Sequence, residues 1–168
     1  MMKRCIAVIL AVFMMFGMTA CGSKQEEQAE SVAPIFSESL ETIYAELCEK
    51  VEDEETREFI KGFGVGEITA DSAAYFIGSE EVDYKEAIYA EPMMSSIAFS
   101  ICLVRVNEGA DMEEQKALIK DNVDPVKWLC VQADTVITEN IGDVILLVMT
   151  DEERAEMIAN AFAALNVQ

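Results

Sequence analysis

The most informative absence in this 168-residue chain is histidine, of which it has none. Without an imidazole the chain cannot build a Ser-His or Cys-His catalytic pair, and it lacks the commonest protein ligand of zinc and copper. Basic residues are also scarce, because 12 lysines and arginines stand against 32 acidic residues and give a formal net charge of −20. A surface this acidic repels nucleic-acid phosphates, so we exclude a nucleic-acid-binding function.

The chain also lacks a disulfide framework. Three cysteines follow Cys21, namely Cys48, Cys102 and Cys130, and three thiols form at most one bridge. We expect them to be small buried hydrophobic residues, with a Cys102–Cys130 bridge as the alternative. No C-x-x-C spacing accompanies them, so we expect neither a metal site nor a cofactor.

The first twenty residues are typical of an export signal. Lys3 and Arg4 precede an apolar stretch, Cys5 to Met18, that is too short for a helix crossing the hydrocarbon core, which needs about 17–25 residues. The stretch ends in Met18-Thr19-Ala20-Cys21, which resembles a bacterial lipobox, where the cysteine thiol is diacylglycerated and becomes the mature N-terminus. We therefore predict a lipoprotein signal peptide over residues 1–20. The alternative is an uncleaved membrane anchor.

The signal predicts how the chain is organised and where it resides. Cys21 is the expected lipid attachment site, and its diacylglyceryl group would hold the protein on the bilayer at the outer face of the cytoplasmic membrane. Residues 21–33 are polar and without apolar periodicity, which indicates a lipid-anchored flexible tether. Residues 34–168 have the size of a single domain.

Helices are predicted in the N-terminal part of this domain. A helical stripe begins after Ser37, and its apolar members are Leu40, Ile43, Tyr44, Leu47, Cys48 and Val51. Two shorter helices are expected over Asp53–Phe63 and over Asp71–Gly78, the second with Asp71 as its N-cap. The glycine-rich sequence KGFGVGEI at 61–68 lacks the strand and helix of a phosphate-binding loop, so it predicts a hinge or a helix cap.

The second half of the domain predicts a ββαββα unit. Its expected elements are a strand over Val82–Glu91, a strand over Ser95–Val106, a helix from Asp111 to Asn122, a strand over Trp128–Thr138, a hairpin loop at Asn140–Asp143, a strand over Val144–Met149 and a helix opened by Thr150. The strand over 95–106 is uncharged on both faces up to Val104, which indicates a central position. We predict an α+β fold: a two-layer domain with N-terminal helices before the ββαββα unit and a mostly antiparallel sheet.

Candidate functional residues are few. Carboxylates are so abundant that no catalytic pair can be singled out, and Ser95-Ser96 lacks the context of a nucleophilic serine. Met93, Met94 and Trp128 fall at predicted strand ends and turns, where such residues either fill the core or form a contact surface. We hypothesise that these three form an exposed apolar contact patch, with packing in the core as the alternative.

Several motifs together resemble a known family. The lipobox Thr19-Ala20-Cys21-Gly22, the turn Glu91-Pro92-Met93-Met94, the strand Ile97 to Val106, the sequence Asp124-Pro125 followed by Lys127-Trp128, and Gly142-Asp143 are similar to the domain-of-unknown-function 4358 family of Gram-positive lipoproteins. This resemblance implies a secreted, lipid-anchored α+β domain without an assigned activity, and it supplies no catalytic residues.

From these observations we expect a membrane-anchored extracytoplasmic lipoprotein that is not an enzyme. Its expected role is to bind an envelope protein or a small ligand. Two alternatives stay open: a substrate-binding accessory of a transporter, which normally has two lobes, and an envelope-acting hydrolase, which needs two carboxylates close together in a cleft.

Overall fold

The structure is a computed structural model that describes residues 35–94 and 96–166. The predicted signal peptide, Cys21 and the tether therefore lie outside the described residues, as does Ser95. The helices are α1 (Leu40–Lys50), α2 (Glu54–Lys61), α3 (Ala70–Ile77), α4 (Met112–Asn122) and α5 (Glu152–Ala163), which continues into a 3₁₀ turn over Ala164–Asn166. No helix within these two ranges is long and apolar enough to cross a membrane.

Within the part of the chain that the structure describes, five strands form one sheet in the spatial order β1-β2-β3-β5-β4, and every pairing is antiparallel. The strands are β1 (Gly64–Glu67), β2 (Tyr84–Glu91), β3 (Ser100–Val106), β4 (Thr135–Ile141) and β5 (Val144–Thr150). The predicted central position of β3 is confirmed. Gly142, at a φ of 55°, begins the two-residue turn between β4 and β5, so the predicted hairpin loop is confirmed too.

The sheet carries a hydrophobic cluster on each face, and the alternation of β3 divides its side chains between them. Ile101 and Leu103 join the first cluster with α1, α2 and α5, whereas Cys102 and Val104 join the second with α3 and α4. The predicted α+β class is confirmed. The helices nevertheless form layers on both faces, so the domain has three layers instead of two, because β3 and β5 are buried on both sides.

Several element boundaries differ from the predicted ones because local caps and turns decide them. Helix α3 begins after Thr69, which forms a capping box with Ser72, and not after Asp71. Helix α5 begins after Asp151, whose carboxylate accepts a hydrogen bond from the Arg154 amide, and not after Thr150. Strand β3 begins at Ser100 rather than at 95. Strand β4 begins at Thr135, so the predicted strand from Trp128 is wrong over residues 128–134.

Strand β1 is the element that the sequence pattern misses. Gly62 is the C-cap of α2, as expected, but Gly64 and Gly66 lie in an edge strand and not in a hinge. The ring of Tyr89 crosses Gly66, and a Cβ there would lie 2.6 Å from its atoms. The same ring stacks on Phe76 with centroids 3.9 Å apart. Glycine is therefore required where an aromatic ring covers the strand.

Arg105, near the C-terminal end of β3, fixes the position of the chain before α1. Its Nη2 donates a 2.8 Å hydrogen bond to the carbonyl oxygen of Glu38. Its guanidinium also pairs with Glu86 at 3.1 Å and with Asp143 at 3.6 Å. Since β3 rises about 3.3 Å per residue, the backbone of Arg105 lies roughly 17 Å along the strand from Ser100, so Glu38 is held near the end of β3 opposite to Ser100.

Candidate functional site

The most distinctive site of the described residues is built on residues 123–134, the connection between α4 and β4. Helix α4 ends at Asn122, and Pro125 follows as a residue that cannot donate to a continuing helix. The Asp124 carboxylate accepts a 2.9 Å hydrogen bond from the Val126 amide, and the Ala133 amide donates to the Pro125 carbonyl at 2.8 Å. These bonds close the connection into a compact loop that lies over the second hydrophobic cluster.

Lys127 fastens this loop to the sheet. Its side chain is only 3 % exposed, and its Nζ lies 2.8 Å from Oε1 of Glu91, the last residue of β2. At this distance Lys127 and Glu91 form an ion pair, although the two groups are not aligned as a hydrogen bond. The Nζ of Lys127 donates a hydrogen bond to Ser100 Oγ at 3.4 Å. Three ring centroids lie 4.7–5.1 Å from the ammonium, those of Tyr75, Phe76 and Trp128. Such cation–π contacts contribute up to about 2 kcal/mol each when desolvated.

Trp128 is a core residue, which corrects the hypothesis that it belongs to an exposed patch. It is 7 % exposed and lies in the second hydrophobic cluster. The preceding residue, Lys127, pairs with Glu91 of the sheet, and this contact holds the loop against the sheet. The indole of Trp128 therefore packs in the core below the loop. The residue still lines a shallow surface groove of about 450 Å³, together with Val126, Cys130, Val131 and Gln132.

Met93 and Met94 are exposed, as the hypothesis requires. Met93 is 88 % exposed and Met94 is 62 % exposed, and both follow the strand end that holds Glu91. A Cβ on Gly64 would lie 3.6 Å from the Met93 sulfur, so this side chain lies over the start of β1. The two methionines therefore remain candidate contact residues without the tryptophan.

Three further exposed side chains accompany the methionines, and the sequence pattern did not single them out. They are Tyr75, Val126 and Leu129, each more than half exposed. Tyr75 contacts the Lys127 ammonium, which pairs with Glu91. Val126 directly precedes Lys127 in the chain. Leu129 directly follows Trp128. Chain geometry thus places all of them within on the order of 15–20 Å of that ammonium. We name the set Tyr75, Met93, Met94, Val126 and Leu129 the apolar corner.

Cys102 and Cys130, the pair of the alternative disulfide, have different environments. Cys102 is fully buried beside Ser100, and burial raises the pKa of its thiol to about 11, although Lys127 and Ser100 lower it. Cys130 is exposed and has a left-handed backbone with a φ of 63°. Neither is bridged, and Cys48 is also an unbridged buried thiol. The expectation of burial is confirmed for Cys48 and Cys102 and is wrong for Cys130.

A second groove, of about 400 Å³, lies between the ends of α1 and α5 and the start of α2. Lys50, Asp53 and Glu153 are among its lining residues. Because two of them carry carboxylates, this groove is the candidate active-site cleft for the hydrolase alternative. The Asp53 carboxylate caps α2 by accepting a 2.7 Å hydrogen bond from the Thr56 amide, which lowers its pKa. A general acid needs the opposite shift, so Asp53 does not fit the role of the general acid in a glycosidase pair.

Comparison with known proteins gives no match: no protein-family model, no curated protein and no solved structure is similar enough to this chain to be reported. The resemblance to the domain-of-unknown-function 4358 family stays a prediction. The function must therefore be argued from the residues themselves.

Proposed function

We propose that this chain is a lipid-anchored domain on the outer face of the cytoplasmic membrane that binds an envelope partner through the apolar corner and catalyses no reaction. The export signal and the lipobox ending in Cys21 support this location. The observation that carries the binding role is the corner itself, where apolar side chains are exposed on three segments that meet at Lys127, on a chain of net charge −20. Single exposed apolar residues are ordinary, whereas a group of them is typical of a contact surface.

The support beneath the corner favours binding as well. Lys127 and Trp128 hold the loop from below, so Val126 and Leu129 are presented on a segment with defined internal hydrogen bonds. A surface that is already ordered loses less conformational entropy when a partner binds. Methionine adds an adaptable fit, because its unbranched side chain and polarizable sulfur accommodate partners of different shape.

The two alternatives receive less support from the structure. A transport accessory would enclose its ligand between two lobes, whereas the described residues form one domain around one sheet. A hydrolase would need a general acid with a raised pKa in a cleft, and Asp53, which caps α2 beside the 400 Å³ groove, has a lowered pKa and does not fit that role.

The proposal is tested by placing a photo-crosslinking amino acid at single positions of the full chain in intact cells. Met94 is the test position, and Ile35, which is also exposed but lies three residues before Glu38, is the matched control. We expect a defined adduct from Met94 and none from Ile35, and we expect Leu129→Lys to abolish the adduct. No adduct at Met94, or the same adduct at both positions, would contradict the proposed function.

A further inference from the structure

We infer that the apolar corner takes an apolar segment of a partner protein that is flanked by lysine or arginine. This inference rests on the proposed function and adds the chemistry of the partner. Three segments build the corner, residues 70–78, 88–98 and 124–134. Their charged residues are Asp71, Glu91, Asp124, Asp134 and Lys127.

The single positive charge of these segments is already neutralised. Lys127 is buried against Glu91 and surrounded by aromatic rings, so its ammonium does not face a partner. Asp71, Asp124 and Asp134 are exposed instead. A partner that approaches the corner therefore meets apolar side chains with carboxylates around them. Lysine and arginine side chains on the partner would complement the negative charge of these carboxylates.

Tyr75 links the apolar and the acidic parts of the corner. Burial raises the pKa of its hydroxyl, and the negative charges of the nearby Glu91 and Asp124 carboxylates raise it further. Its ring already attracts one ammonium, that of Lys127, at 4.7 Å. A half-exposed ring beside carboxylates is a favourable environment for the cationic end of an arginine or lysine side chain.

The same charge argues against two other occupants. A second copy of the chain would bring another −20 charges and the same acidic rim to the contact. An anionic membrane surface would repel the carboxylates of the rim for the same reason. A cationic apolar segment is the occupant that satisfies both the apolar side chains and the charges around them.

The only tryptophan of the chain makes this inference measurable. Trp128 is flanked in the chain by Leu129 of the corner and lines a groove together with Val126 of the corner, so its fluorescence responds to a ligand bound there. The probes are two short synthetic peptides with the same leucine and phenylalanine anchors, one flanked by lysines and the other by glutamates, titrated into the purified full chain. We expect the lysine peptide to bind at least about tenfold more tightly at low salt, with the preference shrinking as salt screens the charges.

Two pairs of variants separate the apolar and the charged contributions. Met93→Ser with Leu129→Ser should weaken binding of the lysine peptide about tenfold, whereas Ile35→Ser should not change it. Asp71→Asn with Asp124→Asn should reduce the preference for lysine over glutamate, and the asparagine oxygen can still accept the Val126 amide. Glu46→Gln with Glu156→Gln removes two exposed carboxylates from helices of the other face and should leave that preference unchanged.

Each outcome has a defined meaning. If the glutamate peptide binds equally well and the serine variants weaken both peptides, the corner is a contact surface and the inferred partner chemistry is wrong. If neither peptide depends on the corner, both the inference and the proposed function are overturned. Two other results would also overturn the inference. Concentration-dependent dimerisation that the serine variants abolish would identify a second copy of the chain as the occupant. Binding to phosphatidylcholine vesicles that the serine variants abolish would identify a lipid surface as the occupant.

Discussion

Trp128 and Leu129 are adjacent residues with opposite environments, and their contrast defines the site at the scale of single residues. Trp128 is 7 % exposed, and Leu129 is 73 % exposed. The difference arises because Lys127, immediately before them, is drawn inward by Glu91 and three aromatic rings. The tryptophan therefore supports the corner from below, and the leucine forms part of its surface.

We expect Trp128→Ala to lower the free energy of unfolding by about 3–5 kcal/mol, because truncating a buried indole leaves a cavity. Leu129→Ala is the matched control and should cost less than about 0.5 kcal/mol, as for most surface substitutions. Urea unfolding of both variants and the wild type measures the two losses. A small loss for Trp128→Ala would mean that the indole is not packed as described.

The ion pair of Lys127 and Glu91 is best examined by a double-mutant cycle. Lys127→Met leaves a carboxylate without its partner, and Glu91→Leu leaves a buried ammonium, so the second single change should cost about 3–5 kcal/mol. The double variant should lose less than the sum of the two, since neither charge is then left unpaired. Chemical denaturation gives the coupling energy, and additive losses would show that the two charges do not interact.

The buried thiol of Cys102 gives a pH dependence with a defined sign. Its pKa is raised from 9.0 to about 11 in the folded state, so between these values the unfolded chain binds fewer protons than the folded one. The contribution to stability is therefore intact below pH 9 and is lost as the pH rises toward 11. Tyr44 and Cys48 also have raised pKa values, so Cys102→Ala should flatten the slope without removing it. An unchanged slope in urea unfolding would contradict the assignment.

At the scale of elements, strand β1 depends on the packing of one ring. Tyr89 lies across Gly66 and stacks on Phe76, which joins the edge of the sheet to α3. We expect Gly66→Ala to displace the ring and to cost about 1–3 kcal/mol, as other overpacked positions do.

Gly64→Ala is the control for this change, because its Cβ would meet its nearest neighbour at 3.6 Å, an ordinary van der Waals distance. Both variants replace glycine by alanine in the same strand, so strand propensity cancels between them. Thermal unfolding measures the difference, and near-ultraviolet circular dichroism reports the displaced tyrosine. Equal stability of the two variants would show that the ring moves aside without cost.

At the scale of the whole molecule, the proposed anchor and the apolar corner depend on different parts of the chain. The described domain begins beside Glu38, which Arg105 holds near the C-terminal end of β3, whereas the corner surrounds the start of that strand. A chain tethered through Cys21 would therefore join its domain at the end of β3 that lies away from the corner, which leaves the corner accessible.

We expect Cys21→Ala to abolish fatty-acid labelling and to leave unprocessed precursor, because the thiol of this residue is the proposed site of acylation. Cys5→Ala, within the apolar stretch of the signal, is the control and should be labelled like the wild type. Metabolic labelling with a radioactive fatty acid gives the result directly. Equal incorporation in the Cys21 variant would rule out the proposed lipid anchor.

Periodicity determined most of the fold from sequence. The stripe after Ser37 predicted the buried face of α1, and the uncharged alternation of 97–104 predicted a central strand with two covered faces, because both patterns follow from backbone geometry alone. Strand β1 escaped prediction because the glycine at position 66 is required by a ring that lies 23 residues away in the chain, that of Tyr89.

The candidate site was likewise predictable only in part from the sequence. The sequence alone determined that Met93 and Met94 follow a break between strands, since Pro92 cannot continue a ladder. Only the tertiary structure decided that Trp128 is buried, that Tyr75, Val126 and Leu129 are exposed beside the methionines, and that Cys130 is at the surface. These outcomes depend on the contact of Lys127 with Glu91 across the fold, and a local pattern carries no information about which distant side chain a buried charge will meet.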